Sequence, residues 1–126
     1  MKEIIHTSLA PKPIGPYNQA IKIDNLVFLS GQLPVDPNTG KIEKTDIISQ
    51  TKQVLSNIGA VLDESGSTFL KIIKTTIFLV NMDDFSKFNE IYATYFDDSI
   101  APARSTIQVA ALPLNSLIEI EVIAEC

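Results

Sequence analysis

The segment from Leu70 to Val80 limits most sharply what this chain can fold into. It is rich in Ile, Thr, Phe and Val, side chains that suit a pleated and buried strand. Ile73, Ile77 and Leu79 alternate with Ile72, Phe78 and Val80, so both faces of the strand are apolar. Such a strand needs cover on both sides of its sheet. The sequence offers two helices to provide it. From Asp46 to Ser65, Ile47, Ile48, Thr51, Val54, Leu55, Ile58, Val61 and Leu62 fall on one face at helical spacing. Thr45 or Asp46 can cap its start, and Gly66 suits a left-handed stop at its end. From Asp83 to Phe96 a second helix buries Phe85, Phe88, Tyr92, Tyr95 and Phe96. Two helices on one face leave the other face bare. The expected cover for it is a second copy of the chain, so a homo-oligomer is predicted.

The remaining strands read as Lys2–His6, Tyr17–Ile23, Leu26–Gly31, Arg104–Leu112 and Leu117–Ala124. Asp24-Asn25 makes a tight turn, and Asp36-Pro37-Asn38-Thr39-Gly40 a second turn. Ala10-Pro11-Lys12-Pro13-Ile14-Gly15-Pro16 holds too much Pro and Gly for a helix or a central strand. The order is β-β-β-α-β-α-β-β. This is an α+β sandwich in one domain spanning residues 1–126, with both helices on one face of the sheet.

Composition removes several function classes. The net charge is -5, and the 10 Lys and Arg residues do not form the basic stripe of a nucleic-acid binder. One histidine and one cysteine make a His/Cys metal centre an unpromising expectation. The sole cysteine, Cys126, allows no intrachain disulfide and reads as a frayed end, which favours a reducing cytoplasmic setting. No leader or apolar run of membrane-span length is read, so no membrane partner is expected. His6 reads as a strand-edge residue.

Two residues stand out as chemistry. Arg104, in Pro102-Ala103-Arg104-Ser105, presents a planar fork of donors that fits a small carboxylate in bidentate fashion. Glu119 stands in the apolar run Leu117–Ala124, where a carboxylate must be solvated, paired or employed. Ile118, Ile120, Val122 and Ala124 share one face of that strand; Glu119, Glu121, Ile123 and Glu125 share the other. Parity does not choose among the three glutamates. If the last two strands formed a hairpin turning near Leu114-Asn115, Glu119 would face position 110, on the order of 20 Å from Arg104. Either those strands are not direct partners, or the two residues meet across a subunit boundary.

Seven segments together carry a family resemblance. They are Ile14-Gly15-Pro16-Tyr17-Asn18-Gln19-Ala20, Phe28-Leu29-Ser30-Gly31-Gln32-Leu33-Pro34, Asp36–Gly40, Lys74-Thr75-Thr76-Ile77-Phe78-Leu79, Met82-Asp83-Asp84-Phe85, Pro102–Ser105 and Ile118-Glu119-Ile120-Glu121. In order and spacing the chain resembles the Rid proteins, also called YjgF, and within them the RidA group of reactive-intermediate deaminases. The resemblance implies a chorismate-mutase-like fold, a homotrimer with sites between subunits, and no cofactor. It also implies an activity: hydrolysis of 2-imino acids, or their enamine tautomers, to 2-oxo acids and ammonia. In the family these intermediates leave pyridoxal-phosphate dehydratases, and their removal protects other enzymes.

By the same resemblance Arg104 is the substrate-carboxylate arginine, and it selects Glu119 as the acid that positions or deprotonates water. Tyr17 matches a site tyrosine, although a strand tyrosine with a wet tip would look the same. Ser30 and Gly31 stand at the end of a strand and read as substrate-binding, the glycine letting backbone approach a ligand closely, or else serving as a simple turn glycine. Asn89 matches a position near the cleft, or else a solvated helix residue. Thr106 stands where many RidA members carry cysteine, which excludes a thiol nucleophile there and leaves its backbone N–H able to bind an oxyanion. Two other readings stay open. One is a 2-oxo acid binding module of the same fold; the other, disfavoured by the acidic balance and the single histidine, is a ribonuclease or translation inhibitor.

Overall fold

Asp46 opens the first helix, α1 (Ile47–Glu64), by accepting the N–H of Ser49 at 2.9 Å on its carboxylate. The computed structural model describes all residues 1–126. The helix stops at Ser65, whose N–H turns back to the carbonyls of the last turn, and Gly66 follows at φ 76°. Cap, apolar stripe and stop therefore lie where the sequence puts them. The other elements are β1 (Glu3–Ile5), β2 (Ala20–Ile23), β3 (Leu26–Gln32), β4 (Ile72–Leu79), α2 (Phe85–Ala93), β5 (Ala103–Gln108) and β6 (Ile118–Glu125). Short 3-10 turns precede β4, α2 and β6. The order is β-β-β-α-β-α-β-β.

The six strands form one mixed sheet in the order β1-β2-β3-β6-β4-β5. All pairs are antiparallel except β4 with β5, which α2 joins by a crossover. β6 therefore sits near the middle, between β3 and β4. Its even residues Ile118, Ile120, Val122 and Ala124 are at most 2% exposed and meet Val54, Leu55, Ile58 and Leu62 of α1 in one core cluster. Truncating a core isoleucine such as Ile120 to alanine removes about 2–5 kcal/mol of stability. From α2, Phe88 and Tyr92 join that core, while Phe85 and, beyond the helix, Tyr95 are partly buried against it. Both helices lie on the same face.

Four sequence expectations need correction. The second helix runs only from Phe85 to Ala93, after a separate 3-10 turn over Met82–Asp84, so Tyr95 and Phe96 pack beyond its end. The second strand begins at Ala20, not Tyr17, because residues 17–19 belong to the loop that follows the Pro-rich stretch. In β4, a bulge between Ile72 and Lys74 shifts the register. Ile72 thereby joins Thr75, Ile77 and Leu79 on the buried face, and Ile73 is 42% exposed. An extra residue in one strand reverses the parity that alternation alone predicts. Finally, Cys126 is not frayed: its N–H bonds the Asn25 carbonyl at 2.9 Å and its side chain packs against the core.

The face of the sheet away from the helices carries Phe28, Ile107 and the half-buried Phe78 and Ile123. Polar Lys74, Thr76, Glu119 and Glu121 are interspersed among them. Nothing within the chain covers this outer face; from β4 it carries Phe78 beside polar Lys74 and Thr76, so the strand is less apolar on this side than its sequence predicts.

Candidate active site

The loop before β2 is held by one buried side chain. Gln19, 2% exposed, accepts the Thr7 N–H at 2.7 Å on Oε1. Its Nε2 shares two hydrogens among the carbonyls of Thr7 (3.0 Å), Ala10 (3.3 Å) and Pro11 (2.9 Å). These contacts satisfy backbone groups that a Pro-rich loop cannot pair with itself. The next turn brings up Tyr17, 45% exposed, whose hydroxyl accepts the Ile14 N–H at 3.3 Å.

Opposite this loop, β3 changes register against β6. Leu29 pairs with Val122 but Gln32 with Ile120, so Ser30 and Gly31 stand against Glu121 alone. The Ser30 N–H bonds the Gln19 carbonyl at 2.9 Å, and its hydroxyl donates to the Asn18 carbonyl at 2.6 Å. The bulge turns Gly31 toward Glu119. Tyr17, Ser30, Gly31 and Glu119 then line one groove of about 430 Å³ with Ile14, Leu33, Pro113 and Glu121. A second cavity of about 340 Å³ adjoins it across Tyr17 and Gly31 and reaches Gln32 and Leu114. Burial, and secondarily the charge of Glu121, raise the Glu119 carboxyl above the ordinary glutamate range. A carboxyl so placed is suited to carry a proton in either direction.

Arg104 occupies a different place. In register it lies opposite Thr75, a residue of the buried face, and points to α2. Its Nη1 donates to Asn89 Oδ1 at 2.7 Å. The guanidinium carbon stands over the rings of Tyr92, Phe85 and Phe88 at 4.8, 5.5 and 5.7 Å. One N–H of the fork is thus engaged and the guanidinium lies against aromatic faces. Asn89 is neither a solvated helix residue nor a member of the groove: it holds Arg104.

Thr106 lies on the same edge strand. The Val109 N–H bonds the Leu79 carbonyl at 2.8 Å. By the two-residue alternation of a parallel ladder, the N–H groups of Ser105 and Ile107 face β4, and those of Arg104 and Thr106 face the open edge. The Thr106 Oγ1 is buried with no hydrogen-bond partner.

The candidate residues therefore fall into two separate groups. Glu119 pairs with Phe78 on the outer face, whereas Arg104 pairs with Thr75 on the helix face. β5 and β6 are not partners, since β4 lies between them. The two residues are offset by about 10 Å along β4 and by two strand spacings of about 4.8 Å, with the sheet itself between their side chains. A substrate of a few heavy atoms cannot touch both within one chain.

Sequence reasoning missed Gln19 as the anchor of the loop, and it read Tyr92 only as core. Both were visible as polar groups in buried contexts, but their partners come from distant segments. No three His, Cys, Asp or Glu side chains are grouped so as to hold a metal ion, and no helix is long and apolar enough to cross a membrane.

The family model described as Endoribonuclease L-PSP matches residues 7–126. The crystal structure of YyfA from Yersinia pestis, of the conserved Rid protein family, superposes with a TM-score of 0.97 at 52% identity, covering all of both chains. The chain belongs to the Rid family. Among its Rid relatives, Reactive Intermediate Deaminase A, chloroplastic, of Arabidopsis thaliana is 54% identical over 123 residues, 98% of this chain and 65% of that protein. The 2-iminobutanoate/2-iminopropanoate deaminase of Mus musculus is 44% identical over 124 residues, 98% of this chain and 91% of that protein. These names support a deaminase activity within the Rid family.

Proposed function

We propose that the protein hydrolyses 2-imino acids such as 2-iminobutanoate and 2-iminopropanoate to 2-oxo acids and ammonia, at sites shared between neighbouring copies of a homotrimer. The observation that carries this reading is the placement of Arg104 and Glu119 on opposite faces of one sheet. Each half-site lacks what the other holds. The bare, partly apolar outer face and the free edge of β5 supply surfaces through which a second copy can join them.

In this reading Arg104 grips the substrate carboxylate with the free part of its fork, and Asn89 holds the fork in place. The outward N–H of Thr106 and the backbone of Gly31 add donors at the carboxylate. Ser30 shapes the groove through its bulge, its hydroxyl being engaged by Asn18. Glu119 takes a proton from water as the oxygen adds to the imine carbon and hands it to the nitrogen, and Tyr17 orients that water through its hydroxyl. The tetrahedral carbon then carries hydroxyl and amine. Glu119 next takes the hydroxyl proton as the C=O forms and passes it to the nitrogen as the C–N bond breaks, so ammonia leaves. One carboxyl with a raised pKa serves both transfers. The imines are unstable products of pyridoxal-phosphate dehydratases, and the role that follows is their clearance in the cytoplasm.

The family model's description names an endoribonuclease. A net charge of -5 and a single histidine, exposed His6, do not support RNA cleavage by this chain.

The test is a dehydratase-coupled assay that follows 2-oxo acid release with wild type, Arg104→Ala and Glu119→Ala. Wild type speeds release and both variants lose the gain. Equal rates with and without wild-type protein would sink the reading, and saturable 2-oxobutanoate binding without turnover would replace it with a binding module.

A further inference from the structure

Arg104 is the only arginine in the chain, and three aromatic rings lie under its guanidinium. Tyr92 is the nearest at 4.8 Å, and it is also tethered. Its hydroxyl shares a 2.8 Å hydrogen bond with Thr75 Oγ1, with both residues at most 5% exposed. Thr75 is the residue opposite Arg104 in the β4–β5 register. The same strand pairing that places Arg104 therefore also places the hydroxyl that anchors the ring beneath it. Asn89, three residues before Tyr92 on α2, takes one N–H of the fork from the side.

A bidentate grip requires the fork to lie in one plane, and a long arginine on an edge strand has many rotamers that break it. A cation over an aromatic face is held by the ring's quadrupole, and a fixed ring fixes the cation. Burial raises the Tyr92 hydroxyl above its ordinary pKa, with the Thr75 hydrogen bond and Arg104 acting the other way. The hydroxyl thus stays protonated at neutral pH, and the tether survives.

We propose that Tyr92, tied to Thr75, is a positioning residue that sets the plane of the Arg104 guanidinium and so its grip on a substrate carboxylate. The inference rests on the carboxylate-binding role given to Arg104 above.

Three variants test it: Tyr92→Leu, which removes the ring, and Tyr92→Phe and Thr75→Val, which each cut the tether. Two measurements are made on the assembled protein. One is 2-oxobutanoate affinity by calorimetry. The other is the Nε–H resonance of the single arginine, which the ring current of Tyr92 shifts without any ligand. Tyr92→Leu moves the resonance and weakens binding about tenfold. Tyr92→Phe and Thr75→Val each move it less, weaken binding about threefold, and together do no more than either alone. In the coupled assay the loss appears in KM with kcat retained. If Tyr92→Leu does not fold, the other two variants carry the test.

An unmoved resonance with wild-type affinity in the folded variants overturns the proposal, even if their melting temperatures fall. If wild type gives no gain in the coupled assay, the functional reading fails separately, and the resonance alone decides whether Tyr92 orients Arg104.

Discussion

Gly31 lies beneath the side chain of Glu119: a Cβ built on the glycine would stand 2.7 Å from Glu119 Cδ and 3.0 Å from Cγ. No other residue type leaves room for the carboxylate where it lies. The backbone φ of Gly31 is not in the left-handed region, so the requirement is for space and not for conformational freedom. Gly31→Ala therefore displaces the Glu119 carboxyl by about an ångström and lowers kcat/KM about 10²-fold. Its melting temperature stays close to wild type, because the displaced group is the end of a flexible side chain. An alanine variant with wild-type kcat/KM would show that Glu119 does not act from this position.

The proposed sharing of Arg104 and Glu119 between neighbouring copies can be tested by complementation. Mixing Arg104→Ala chains with Glu119→Gln chains in one oligomer restores sites in which each chain supplies the residue the other lacks. Random one-to-one assembly returns about a quarter of wild-type activity, since both members of each site must be the intact ones. Each variant alone is inactive. A co-refolded mixture as inactive as its components would place the whole site in one chain.

The raised pKa of Glu119, caused first by burial and then by Glu121, sets two pH dependences. As the base of the proposed reaction Glu119 must be ionised, so activity is expected to fall as pH drops through a pKa above the ordinary glutamate value of about 4.3. Glu121→Gln moves this acidic limb to lower pH. For stability the sign is opposite to that of a salt-bridged acid. A folded pKa above the unfolded one contributes stability at low pH that is lost as pH rises through the folded pKa. Glu119→Gln cannot ionise, so its melting temperature exceeds wild type at pH 7, and the difference fades below about pH 4. A pH–rate profile and a pH series of melting curves check both.

Gln19 connects loop stability to the groove. Gln19→Leu leaves the Thr7 N–H and three carbonyls without their side-chain partner. The expected loss is about 2–4 kcal/mol, measured by urea unfolding at fixed protein concentration. Gln19→Glu restores the acceptor but not the donors and recovers only part of it. Variants as stable as wild type would mean that the loop is held elsewhere.

How legible the site was differs from residue to residue. α1 could be read almost to the residue, since its cap, stripe and stop are local signals within one run of chain. The core face of β6 could be read for the same reason: alternation without a bulge reports its own parity. β4 could not, because the bulge at Ile73 depends on how the strand registers against β6. Tyr17 reads as strand because its residue type suits one, whereas the carbonyls of the Pro-rich loop claim Gln19, two residues on, and keep the segment in the loop. Asn89 was ambiguous on a helix surface until Arg104, fifteen positions away, was seen beside it.

The sequence by itself determined the element order, the termini of α1, the apolar stripe of each helix and the identity of Arg104, Glu119, Gly31 and Tyr17 as candidates. Those follow from short-range periodicity, from capping and turn chemistry, and from motifs that lie within a few residues. Only the tertiary structure decided that β4 separates β5 from β6, that Gly31 must yield its side-chain space to Glu119, and that Arg104 and Glu119 point to opposite faces. Strand order and register are set by contacts between segments far apart in the chain, and no local pattern encodes which face a paired residue will share.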